Sequence, residues 1–130
     1  MNDNSTEFLG SLFGYQPLGG QHALITGGSR GIGAAISNAL AALGANITLL
    51  ARDLTTLKQQ SKHLENEYNS KVFYTRADMT LETDITASFK YAVKSNGPID
   101  ILINNAGIGK SMPFHKMDLD FWNSTLTLNL

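Results

Sequence analysis

Thr26-Gly27-Gly28-Ser29-Arg30-Gly31-Ile32-Gly33-Ala34-Ala35-Ile36 sets four glycines and one arginine between two apolar segments. A turn needs one glycine or two, so four imply that something comes very close to the main chain. Upstream, His22 to Thr26 (HALIT) is a short apolar run that reads as a buried strand. Downstream, Ile32, Ile36, Leu40 and Leu43 recur at steps of four, four and three, which makes one apolar face of a helix ended by Gly44.

The same alternation continues along the chain. Residues 45–51 (ANITLLA) read as a second strand, and Asp53 is a suitable N-cap for a polar helix over 54–69. Residues 71–77 (KVFYTRA) read as a third strand. A helix over 82–95 follows, with Ile85, Phe89 and Val93 four apart, and Gly97-Pro98 ends it. Residues 99–104 (IDILIN) read as a fourth strand. After Gly107, Gly109 and Pro113, a last helix places Leu119, Trp122, Leu126 and Leu130 on one face. Strands and helices alternating in units of roughly thirty residues argue for parallel β-α-β crossovers. The near-continuous apolar runs of the second and fourth strands suit strands buried on both faces.

In such a fold the glycine-rich junction lies at the carboxyl end of the sheet, where ligands bind. The first helical turn leaves backbone N–H groups unpaired at a mildly positive end, which a pyrophosphate satisfies. A dinucleotide cradle is therefore the functional reading, and a glycine-rich turn without a ligand is the alternative. The spacing is not that of a P-loop, because no Lys-Ser or Lys-Thr follows Gly33.

Composition narrows the field. Apolar residues at 42% and charged residues at 16% describe an ordinary globular chain of one domain. A formal net charge of −1 gives no electrostatic reason to expect nucleic acid or an acidic membrane as partner. The absence of cysteine excludes disulfides and thiolate metal sites and fits a reducing, cytoplasmic setting. His22, His63 and His115 lack metal-ligand spacing, so no metal site is expected. No run approaches the ~20 apolar residues of a membrane span. Residues 1–18 do not read as a signal peptide; they form a leader that either docks through Phe8, Leu9, Leu12 and Phe13 or frays. The domain proper is expected over 19–130.

Four stretches resemble the short-chain dehydrogenases/reductases. Thr26-Gly27-x-x-x-Gly31-Ile32-Gly33 is similar to that family's cofactor motif, and Ala77-Asp78-Met79 to its adenine-contacting segment. Asn104-Asn105-Ala106-Gly107 is similar to its NNAG signature, and Trp122 with Asn129 seven residues on to the helix bearing its active-site asparagine. The resemblance covers residues 20–130, with the motifs in the family's order. It implies a Rossmann-type, doubly wound parallel α/β sheet, here of about four strands in the order 3-2-1-4. It also implies a nicotinamide coenzyme held by Gly27, Ser29, Arg30, Gly31, Ile32, Gly33, Arg52, Asp78, Met79, Asn105, Ala106 and Gly107. The substrate class it implies is a small carbonyl or alcohol, and the assembly a homo-oligomer.

Coenzyme choice turns on the end of the second strand, Leu50-Ala51-Arg52-Asp53. An acidic residue there would hold the ribose hydroxyls and repel a 2′-phosphate. The position where the family's NAD users carry aspartate looks to be Ala51. Arg52 can pair with a phosphate, and Arg30 adds a second charge, so NADP(H) is expected over NAD(H). A one-residue shift would instead put Asp53 at the ribose.

Of the family's catalytic four, the resemblance carries over only Asn129. No Tyr-x-x-x-Lys occurs in the 130 residues; Tyr91 and Lys94 are three apart and lie on the helix before the fourth strand. The chain is thus expected to stop short of the serine, tyrosine and lysine and to be inactive alone. It would also leave Ile99, Ile101, Leu102 and Ile103 at an open edge, which predicts marginal stability or association. The competing reading is a dinucleotide-binding or interaction fragment without turnover. A methyltransferase built on the same glycine turn is disfavoured by Arg52 and the NNAG stretch.

Overall fold

The computed structural model describes residues 15–105. The leader residues Phe8 to Phe13, the expected last helix, Ala106, Gly107 and Asn129 lie outside them. Seven elements alternate: β1 (His22–Thr26), α1 (Gly31–Ala42), β2 (Asn46–Ala51), α2 (Leu54–Tyr68), β3 (Val72–Arg76), α3 (Glu82–Asn96) and β4 (Ile101–Asn104). They form a parallel four-stranded sheet in the order β3-β2-β1-β4, the doubly wound arrangement expected from the alternation.

Successive strand residues point to opposite faces, and the two faces hold separate cores. On one, Ala23, Ile25, Ile47 and Leu49 pack with Ala41 of α1 and Leu57 and Leu64 of α2. On the other, Leu24 and Leu50 pack with Ala92 of α3 and with Ile99. Burial on both faces explains the near-continuous apolar run of β2, whereas the equally apolar β4 is only half-buried and does not meet that expectation. Ile99 lies ahead of β4 and is buried, whereas Ile101, Leu102 and Ile103 are half-buried in β4, the outermost strand among the described residues.

The helix boundaries follow local chemistry. The Asp53 carboxylate caps α2, accepting from the Thr55 and Thr56 amides at 2.9 and 3.4 Å. Asn69 ends that helix in the left-handed conformation at φ 52°. Gly44, at φ 99°, closes the exit of α1 as the sequence predicts.

The face of α1 differs from expectation. Ile32 is 73% exposed, and Ile36 and Leu43 are only half-buried. The buried line is instead Gly33, Ser37, Ala41 and Ala42. Small side chains let the helix lie close to the sheet, so of the bulkier stripe Leu40 still packs against the core while Ile32 turns outward. Similarly, α3 buries Ile85, Ser88, Ala92 and Asn96, and Val93 remains 37% exposed.

At the amino end of the sheet sits a buried polar cluster that the apolar pattern concealed. The His22 ring donates from Nδ1 to the Gly97 carbonyl at 2.8 Å and meets Thr48 Oγ1 at 2.7 Å through Nε2. A carbonyl only accepts, which assigns the proton to Nδ1 and leaves Nε2 as acceptor. The role is structural, as expected from the sequence. Among the described residues no three His, Asp or Glu side chains form a metal-binding group, and no helix is long and apolar enough to cross a membrane.

Candidate functional site

The glycine turn leaves the carboxyl end of β1 and enters α1. Gly27 and Gly31 adopt φ of 66° and 55°, a region that side chains with a Cβ avoid. Gly33 serves a different purpose. A Cβ there would run into the Gly27 carbonyl oxygen and come within 2.7 Å of Asn105 Nδ2. The first turn of α1 therefore presses directly on the loop and on the end of β4. Gly28 serves packing: its Cβ would meet Leu49 Cδ2 at 2.7 Å and Ile25 Cγ2 at 3.0 Å.

Thr26 ties the two strand ends together. Its hydroxyl accepts from the Asn105 amide at 3.0 Å and lies 3.2 Å from Asn104 Oδ1, to which it donates. The Asn105 side-chain amide donates to the Gly27 carbonyl at 3.4 Å. Gly27, Gly33 and Asn105, three of the residues expected at the site, are thus brought into one cluster, and Thr26 holds them.

The start of α1 is also electrically suited to an anion. Arg30 at its N-cap makes no side-chain capping bond, and the first turn holds no acidic residue. By contrast, α2 is capped by Asp53, and α3 carries Glu82 and Asp84 in its first turn. The unpaired N–H groups and the positive helix end at α1 remain available to a phosphate.

A second group of side chains lines the ends of β2 and β3. Ser29 Oγ accepts from Thr56 Oγ1 at 3.0 Å, which binds the glycine loop to the start of α2. Arg52 follows Ala51, the last residue of β2, and is exposed. The Asp53 carboxylate is engaged at the α2 cap through Oδ1, next to the exposed Arg52 cation. Asp78 folds back on Thr80, accepting from its amide at 2.9 Å and its hydroxyl at 2.6 Å. Those bonds hold the carboxyl below its usual range, with smaller help from the Arg52 and Arg76 charges. The α3 N-cap is Leu81, so Asp78 does not cap that helix. The Met79 side chain packs against the Leu24–Leu50 core.

Thr56 and Arg76 carry no motif in the sequence, and Thr26 stands there only as the first residue of the glycine motif. Arg76 carried a signal in hindsight, as a cation ending a strand two residues before Asp78. The pairing of Thr56 with Ser29 crosses twenty-seven positions and leaves no local pattern.

The family model described as short chain dehydrogenase matches residues 21–130. An acetoacetyl-CoA reductase from Shinella zoogloeoides is 38% identical over 83% of this chain and 43% of its own length. The crystal structure of L-sorbose reductase from Gluconobacter frateurii, complexed with NADPH and L-sorbose, superposes with a TM-score of 0.70 at 31% identity, covering 83% of this chain and 41% of that one. A metagenomic short-chain oxidoreductase in complex with NADP gives a TM-score of 0.67 at 35% identity, over 87% of this chain and 51% of that one. The chain spans about half the length of the relatives it matches, or less.

Proposed function

Because the chain belongs to the short-chain dehydrogenase family, we propose that it forms the coenzyme-binding part of an NADP(H)-dependent oxidoreductase acting on a small carbonyl or alcohol. The observation that carries this reading is the contact of Gly33 with the Gly27 carbonyl and Asn105, beside an uncapped helix start. When bound, the nicotinamide coenzyme supplies or accepts the hydride. The amides of Gly27 to Gly33, with Ser29 and Arg30, hold the diphosphate; Arg52 attracts the 2′-phosphate. Asp78 and Met79 receive the adenine end, and Asn105, Ala106 and Gly107 line the path toward the nicotinamide.

Preference for NADP(H) is supported by three features: Ala51 at the strand end, the exposed Arg52 beside it, and an Asp53 carboxylate turned to its cap. L-sorbose reductase and the metagenomic oxidoreductase, both complexed with NADP(H), agree with that choice. In this reading Asn129 belongs to the proton path, and the proton-donating tyrosine with its lysine and serine lies outside the 130 residues. These residues alone then bind coenzyme without turnover, and the complete protein is a homo-oligomer.

Calorimetric titration with NADPH and NADH tests the proposal. Tighter binding of NADPH is expected, and Arg52→Ala should weaken it about tenfold while sparing NADH, the loss of one charge-assisted contact. Equal or tighter binding of NADH would overturn the coenzyme assignment.

A further inference from the structure

Arg76 stands directly beside Ala51 in the register of β3 on β2, at the carboxyl end of both strands. Its Nε–H donates to the Arg52 carbonyl at 2.9 Å. This bond spans the gap between two neighbouring strand ends just where the pairing of β2 and β3 stops. The Arg52 carbonyl lies between the Ala51 carbonyl, which accepts from the Ala77 amide at 2.9 Å, and the Asp53 cap of α2, so the Arg76 bond adds a further tie at this strand end.

We propose that Arg76 is a positioning residue for recognition of the 2′-phosphate, acting through the Arg52 main chain. The inference rests on the NADP(H) reading above. The physical argument is preorganisation. A guanidinium on a freely turning peptide loses conformational freedom when it binds a phosphate, and a peptide already fixed loses less. The Nε–H is the guanidinium donor nearest the stem, so this bond does not use the terminal N–H groups of Arg76. Arg76 is exposed, and both it and Arg52 act electrostatically on Asp78, so the two cations share one rim.

The test is a double-substitution cycle in the complete protein, read by calorimetric affinity for NADPH, NADH, 2′,5′-ADP and 5′-AMP. Arg76→Gln should weaken NADPH and 2′,5′-ADP about fivefold, the scale of one lost hydrogen bond, and leave NADH and 5′-AMP within about twofold. In an Arg52→Ala background the same substitution should have no further effect on NADPH. Three results would overturn the assignment: unchanged NADPH affinity, equal weakening of NADPH and NADH, or full additivity of the two substitutions. Failure of the unsubstituted protein to bind either dinucleotide would refute the coenzyme reading itself, and this inference with it.

Discussion

Replacing Gly33 by alanine isolates the contact on which the site is built. The added Cβ meets a main-chain oxygen at Gly27 and the Asn105 amide nitrogen at 2.7 Å. A flexible side chain could swing aside, but the Gly27 carbonyl cannot move without shifting the loop or lifting α1 from the sheet. Overpacking of this kind costs about 1–3 kcal/mol, and a main-chain obstacle belongs at the upper end. Alanine in place of glycine in a helix returns at most about 1 kcal/mol. The net expectation is a loss of about 2 kcal/mol in urea unfolding, with NADPH binding weakened because Gly27 is displaced. Ala39→Gly, at an exposed position of the same helix, calibrates the propensity effect and should cost about 1 kcal/mol. If Gly33→Ala is neutral or stabilising, propensity has won, and the close approach of helix and loop is not what holds this region.

Three further outcomes are expected. Thr26→Val removes the acceptor of the Asn105 amide in a buried setting and should cost about 1–3 kcal/mol by the same unfolding assay. Asp53→Ala removes the α2 cap and should cost about 1 kcal/mol, with no loss of NADH affinity if the carboxylate serves only the helix. Burial holds the His22 pKa below its ordinary 6.5, against the raising influence of the Gly97 and Pro98 main chain and of Asp100. The unfolded chain therefore takes up a proton before the folded one, so stability from His22 is intact above pH 6.5 and is lost as pH falls from there through the lowered folded value. Unfolding midpoints measured across that range should decline, and His22→Val should flatten the decline.

Much of the fold was legible because period and punctuation agree. The run HALIT is β1 to the residue, Asp53 caps α2, and Gly44 and Gly97-Pro98 end their helices. The α1 face departs from the apolar periodicity because side-chain size as well as hydrophobicity decides which residues approach the sheet. Gly33, Ser37 and Ala41 make the closer fit, and only the neighbouring strand reveals that closeness decides burial. Likewise Gln60, buried on a polar helix, reaches Ser37 and Asn38 of α1 at 2.9 Å. His22, Thr48 and Asn96 bond to one another from three separate elements, while the buried Asn96 Oδ1 finds no partner among the described residues. At the site, glycines announce themselves because a close approach demands them. Thr26 and Arg76 do not, since a threonine ending a strand and an exposed arginine are ordinary until their partners across the sheet are known.

The central claim is that main-chain N–H groups between Gly27 and Gly33 hold the coenzyme's diphosphate. Backbone amide NMR of the complete protein, titrated with NADPH, reads those groups one by one. The account predicts saturable shifts concentrated at residues 27–33, with 5′-AMP producing smaller ones there. Saturable binding that leaves those amides unmoved, or no binding by a well-folded protein, would contradict it.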